Sequence, residues 1–196
     1  MPDRTAEITR QTKETKIRLA LTLDGTGNCS ARTGVGFFDH MLDLLARHAL
    51  LDLTVEAQGD LDVDAHHTVE DVGIVLGQAI EKAVGDKRGI YRYGWAIVPM
   101  DESLAQVAID LSGRPAFVFN APFRGATIGQ FPAELVEEFF KSVATNAKCN
   151  LHVNVPYGTN NHHVSEAIFK ATAKALRQAV SLDPRNNQVP STKGSL

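Results

Sequence analysis

Apolar and polar residues alternate along residues 7–12 and 15–23, which predicts two strands running into the turn Asp24-Gly25-Thr26-Gly27. The period then changes. Phe37, Met41, Leu44, Leu45 and His48 recur at helical spacing and predict a helix over residues 37–48. Residues 51–55 alternate again, ending at Gly59, and residues 66–84 place Val69, Val72, Gly73, Leu76 and Ile80 along one side of a long helix closed by Gly85. The second half repeats this order: strands over 95–99, 104–111 and 115–120, a helix over 135–147, a strand over 151–155 and a helix over 162–180.

The last helix of each half opens on the same word. His66-His67-Thr68-Val69-Glu70 and His162-His163-Val164-Ser165-Glu166 stand about half the chain apart. The short strands that precede them support the same duplication, because Leu53 follows His40 at the spacing at which Leu151 follows Glu138. The expected organisation is a first half-repeat over residues 1–90, a second over 91–184, and a tail over 185–196 in which helical patterning is lost.

The chain has 196 residues, 43% of them hydrophobic and 22% charged, enough for a substantial core. A net charge of −3 and a pI near 6.1 give no electrostatic reason to expect nucleic acid or an anionic membrane as a partner. No apolar run approaches the roughly 20 residues of a membrane span. Cys29 and Cys149 lack a metal-binding spacing, so a reducing, cytoplasmic setting is expected and sulfur ligands are not.

On a helix, adjacent histidines point about 100° apart, while a glutamate three or four residues on shares a face with one of them. One such helix therefore suits two metals, or one metal and a substrate. A lone histidine is most often a hydrogen-bonded core or surface residue. Two histidine pairs in register, each with a carboxylate one turn on, are better explained by metal ligation. A ligand set of His and Glu without thiolate suits Mn, Zn, Fe, Co or Ni. His40 gains weight from its place in the repeat, whereas His48 and His152 are expected to be ordinary helix-end and strand residues. Arg92, Arg114 beside Ser112-Gly113, and Ser191-Thr192-Lys193-Gly194 are candidate phosphate-binding groups. Gly34-x-Gly36 lacks the third glycine of a dinucleotide fingerprint, since Asp39 stands there.

Four segments, Phe38-Asp39-His40-Met41-Leu42, Asp64-Ala65-His66-His67-Thr68-Val69-Glu70-Asp71, Ser112-Gly113-Arg114-Pro115 and His162-His163-x-x-Glu166-Ala167, together resemble imidazoleglycerol-phosphate dehydratase of histidine biosynthesis. The resemblance runs from about Arg10 to Lys193. It implies an α+β fold of duplicated half-domains (ribosomal S5 domain 2-like), with two β-sheets flanking a central layer of helices. It implies a cytoplasmic, metal-dependent hydro-lyase that converts imidazole glycerol phosphate to imidazole acetol phosphate. It also implies a homo-oligomer, a 24-mer, with two Mn2+ ions per active site at subunit interfaces.

Carried over by motif, His40, His66, His67, Glu70, His162, His163 and Glu166 are similar to the family's metal ligands. Several of these histidines, His40, His66 and His162, would also meet substrate. Glu14 matches a substrate-contacting glutamate and, with Glu70 and Glu166, is a candidate acid/base. Arg92, Arg114, Ser191, Thr192 and Lys193 match phosphate-binding groups. Two departures stand out: Glu138 where many members have histidine, so that it becomes a possible carboxylate ligand, and Leu44 where many have glutamine.

The expected route is dehydration through a metal-stabilised imidazolate whose electrons expel the neighbouring hydroxyl, with a glutamate shuttling protons. Two other readings use the same residues. A binuclear metal hydrolase would instead activate water. A metal-assembled structural protein would show metal-dependent assembly and no turnover.

Overall fold

The computed structural model describes residues 4–196. The first half runs Thr5–Gln11 (β1), Thr15–Thr22 (β2), Cys29–Arg32 (β3), Gly36–Ala49 (α1), Asp52–Gly59 (β4) and His66–Val84 (α2). The second runs Tyr93–Met100 (β5), Ser103–Asp110 (β6), Ala116–Asn120 (β7), a small hairpin of Thr127–Ile128 (β8) and Phe131–Pro132 (β9), then Leu135–Asn146 (α3), Asn150–Tyr157 (β10) and Asn161–Val180 (α4).

The two four-stranded sheets have one topology, β1-β2-β4-β3 and β5-β6-β10-β7. Each begins with antiparallel pairs and ends on a parallel one, β3 with β4 and β7 with β10. This is the duplicated α+β architecture. The period-2 pattern explains the inner faces: Ile17, Leu19 and Leu21 on β2 and Leu151, Val153 and Val155 on β10 are all buried against helices.

The helices join the halves. α2 packs on α3, and α1 packs on α4. On α2, Gly73 and Gly77 lie one turn apart, and a Cβ at either would come within 2.8 Å of a backbone oxygen of α3, Phe139 O or Val143 O. These glycines set that close approach. Two residues upstream of each word a short side chain accepts the first histidine's N–H: Asp64 Oδ1 that of His66 at 2.7 Å, and Asn160 Oδ1 that of His162 at 2.9 Å. Asn160 is the N-cap of α4, which starts one residue ahead of its word, whereas α2 starts on His66 itself after Ala65.

The sequence pattern does not reveal β3, β8 or β9. β3 is a four-residue edge strand, Cys-Ser-Ala-Arg, whose pairing with β4 exists only after α1 has crossed over. β8 and β9 have two residues each. No helix among the described residues is long and apolar enough to cross a membrane.

Candidate metal centre and anion pocket

His40 from α1 and His162 and Glu166 from α4 converge because those two helices pack together. His40 Nε2 lies 3.2 Å and His162 Nε2 3.0 Å from Glu166 Oε1. Among the described residues this is the one set of three whose ligand atoms all lie within 4.8 Å of one another. Two imidazoles and a carboxylate fit a divalent cation of the Mn-to-Zn series. Burial alone would raise the Glu166 carboxyl, but hydrogen bonds from Lys170, His40 and His162 outweigh it and hold the group down at about 2. Lys170 Nζ sits 2.6 Å from Glu166 Oε2. Phe37 meets His162 edge-on at 5.3 Å.

His162 and Phe37 border a cavity of about 610 Å³ that also touches Asp64 and Ala65, the residues just before His66. Both His-His words thus open at one end of the molecule. The rings of each pair stand nearly perpendicular, 87° for His66 and His67 and 82° for His162 and His163, with centroids 6.1 and 6.3 Å apart.

The second histidine of each pair meets carboxylates. His67 Nδ1 is 3.0 Å from Asp60 Oδ2, and its Nε2 is 4.0 Å from Glu14 Oε1. His163 Nδ1 is 2.7 Å from Glu102 Oε2, and its Nε2 is 3.6 Å from Asp101 Oδ2. The hydrogen bond to Asp60 raises the His67 pKa, and that to Glu102 raises the His163 pKa. Glu102 itself is pushed well below the usual carboxylate range, first by the His163 bond and then by the Asn160 and Thr159 N–H groups. Asp60, Glu102 and Lys170 escape sequence reasoning because single acidic or basic residues in turns and on helices carry no spacing signal.

Glu14 stands in the β1–β2 turn, fastened to α2 from behind. Thr12 Oγ1 accepts the Glu14 N–H at 3.0 Å, Thr15 Oγ1 donates to Asp71 Oδ2, and Arg10 Nε donates to Asp71 Oδ1 at 2.8 Å. Glu138 on α3 pairs with Lys141 Nζ at 3.3 Å rather than joining a three-ligand cluster with His66 and Glu70. Leu44 packs against the core. Burial pushes the Cys149 thiol up to about 12 and the Cys29 thiol to about 11, so neither offers a thiolate.

The cationic candidates gather elsewhere. Arg92, Arg114, Ser191, Thr192 and Lys193 border a cavity of about 620 Å³. Arg92 takes a left-handed backbone conformation, φ 70°. Its Nε and Nη2 donate to Asp110 at 2.6 and 3.1 Å, and its Nη1 donates to Pro190 O at 2.9 Å. Its fork therefore clasps β6 and fastens the tail, and Arg114, Ser191, Thr192 and Lys193 line the open side of the cavity. The Arg92 N–H bonds Ala179 O near the C-terminal end of α4, whereas His162 lies at the N-terminal end. At 1.5 Å per residue those helix positions are about 26 Å apart.

The family model described as imidazoleglycerol-phosphate dehydratase matches residues 33–176. The imidazoleglycerol-phosphate dehydratase of Azorhizobium caulinodans is 61% identical over 194 residues, covering 98% of each chain. That of Rhodopirellula baltica is 56% identical over 193 residues, 98% of this chain and 96% of the relative. The crystal structure of the Staphylococcus aureus dehydratase superposes with a TM-score of 0.83 at 41% identity, over 91% of this chain and 99% of that one.

Proposed function

This chain belongs to the imidazoleglycerol-phosphate dehydratase family, hydro-lyases of histidine biosynthesis, and on that premise we propose a metal-dependent dehydration of imidazole glycerol phosphate carried out by residues of more than one copy. The observation that carries the metal reading is the His40–His162–Glu166 cluster, with Nε2 atoms 3.2 and 3.0 Å from one carboxylate oxygen. The family assignment favours this reading over a hydrolase or a metal-assembled structural protein. We assign two divalent ions, with Mn2+ as the expected metal. One is held by the α1/α4 cluster, and the α2 word, with His66, His67 and Glu70, supplies ligands to ions shared with neighbouring copies, its two diverging histidines serving different ions, with Glu138 nearby on α3. His163, like His67 in the first half, serves an ion shared with a neighbouring copy. A cytoplasmic location is part of this reading, in keeping with Cys29 and Cys149 both being free thiols.

When bound at a ring nitrogen, such an ion supplies Lewis acidity that favours loss of the ring N–H proton. The chain's own groups do the rest. Net loss of water needs a base for a carbon-bound proton and an acid for the departing hydroxyl. Glu14 is well placed to be that base, because it is half-exposed, its turn is fastened to α2, and it lies 4.0 Å from His67 Nε2. Glu166 stays ionised at neutral pH, and Lys170 Nζ donates a hydrogen bond to its Oε2. Glu14→Gln is expected to lower kcat on the order of 10²–10⁴-fold with binding retained, measured by steady-state turnover together with titration of a substrate analogue. Near-normal kcat would remove Glu14 from the shuttle.

The phosphate end needs fixed cations. Arg114 and Lys193, with Ser191 and Thr192, present donors at one cavity. Lys193→Ala is expected to raise KM roughly 10-fold or more, because a charge-assisted bond of about 1.5–3 kcal/mol is lost, with kcat little changed. An unchanged KM would take the tail out of the site.

A metabolite of this size cannot bridge about 26 Å along α4. A complete site therefore takes its metal cluster and its anion pocket from different copies, which is the basis for a homo-oligomer such as the 24-mer of the resemblance. A surface suited to that contact is present. Trp95, Ile97 and Val118 on the outer face of the second sheet are 64%, 63% and 50% exposed. The register lines up Trp95, Ala108, His152 and Val118 across all four strands. Tyr93, on the same strand as Trp95 and Ile97, borders the anion cavity. The deciding experiment is turnover of imidazole glycerol phosphate by protein stripped of metal and then given Mn2+. Activity restored only by the metal supports the reading, and activity undiminished after complete stripping overturns it.

A further inference from the structure

The two half-repeats treat the second histidine of each word, His67 and His163, differently. Each hairpin turn ends in a glutamate immediately before the next strand, Glu14 ahead of β2 and Glu102 ahead of β6. These are equivalent positions in the duplication. Yet Glu102 Oε2 lies 2.7 Å from His163 Nδ1, whereas Glu14 approaches the opposite nitrogen of His67, Nε2, at 4.0 Å. In the first half the Nδ1 partner is Asp60, at 3.0 and 3.2 Å, delivered from the residue after β4. β10 carries a register shift, so Gly158, whose Cβ would meet Val164 and Ser103, corresponds to Gly59, whose Cβ would meet Thr68 and Thr15, and the place of Asp60 is taken in the second half by Thr159, which has no carboxylate.

We propose that Asp60 and Glu102 are equivalent positioning residues: each fixes its histidine as the Nδ1–H tautomer with the Nε2 lone pair free for a metal, and Asp60 thereby releases Glu14 for proton transfer. A neutral imidazole has one N–H and one lone pair. A carboxylate on Nδ1 settles which nitrogen holds which, and also fixes the ring plane. Both carboxylates are themselves held. Glu102 Oε1 accepts the Thr159 and Asn160 N–H groups at 3.1 and 2.8 Å and the Ser103 hydroxyl at 3.1 Å, which leaves Oε2 for His163. Asp60 follows Gly59, where a Cβ would stand 2.0 Å from Thr68 Oγ1; only glycine lets the end of β4 come close enough to α2 to bring Asp60 onto His67. Without Asp60, the nearest carboxylate able to orient His67 would be Glu14, which could not hold that ring and also move a proton.

The inference rests on the metal reading, and its test separates the two. Metal-stripped protein is titrated calorimetrically with Mn2+, with circular dichroism as a check on folding. Wild type is expected to bind two ions per chain; no binding at all would overturn the metal reading itself. Asp60→Ala and Glu102→Ala are each expected to weaken one of the two binding events by 10- to 100-fold. The double variant should weaken both. Asp60→Asn and Glu102→Gln keep an amide oxygen that accepts the Nδ1–H, so they should bind within a few-fold of wild type, and they decide the matter if an alanine variant fails to fold. Alanine variants that fold and bind both ions normally would overturn the proposal. So would amide variants as weak as alanine, since charge rather than orientation would then be what matters.

Discussion

Glu166→Gln and the double variant Arg114→Ala/Lys193→Ala should each lose nearly all turnover, and a reassembled equimolar mixture of the two should recover about a quarter of wild-type activity, the share of two-chain sites that draw both parts from intact copies. The first variant removes the charge on which His40 and His162 converge. The second removes two donors from the open side of the anion cavity while leaving Arg92 clasped on Asp110. Each chain keeps the half-site the other lacks. If one chain held a complete site, mixing would restore nothing, because every chain would still be defective. Recovery is expected because the α4 positions beside the two half-sites, His162 and Ala179, lie about 26 Å apart in a single chain. The measurement is turnover after mixed metal stripping and Mn2+ reloading, with each variant reloaded alone as the control.

Gly94→Ala should be the most damaging single methyl group in the chain. A Cβ at that point of β5 would lie 1.9 Å from Ala175 O and 2.9 Å from Ala179 N, both backbone atoms of α4. No flexible side chain can yield, so the helix must lift from the sheet. α4 packs on β5, β6 and α1, and it buries Phe169, Ile168 and Leu176 along its length. The expected loss is more than about 3 kcal/mol, in the range where single substitutions prevent folding. Gly36→Ala is the control: a Cβ there meets nothing within 4 Å, and stability should move by no more than about 0.5 kcal/mol. Urea unfolding of the metal-free protein gives both values, and an unchanged midpoint for Gly94→Ala would contradict the close approach.

Several features were legible from order and period alone. The change from alternation to helical spacing marks β1, β2, α1, β4 and α2 and then their counterparts, because each element's buried face repeats at its own period. The paired His-His-x-x-Glu words mark the two helices that carry most of the candidate ligands, because residue type and spacing along one helix settle which side chains share a face. The phosphate candidates were legible only as separate residues with no shown relation. What stayed hidden was small or distant. β3 is four residues at a sheet edge, and Glu138 keeps its place in the repeat yet pairs with Lys141. Arg92 carries an unremarkable sequence context, and its bond to Asp110 appears only when β6 lies alongside β5.

The sequence by itself therefore determined the elements, their duplication and the chemical types at the site, all of which depend on neighbours within one or two helical turns. The tertiary structure alone decided that His40 meets Glu166, 126 positions away, and that Asp60 meets His67 and Glu102 meets His163. It alone placed the cationic pocket at the far end of α4. The physical reason is that periodicity encodes which face of an element is buried, whereas which elements meet depends on how the two sheets and four helices close around a shared core.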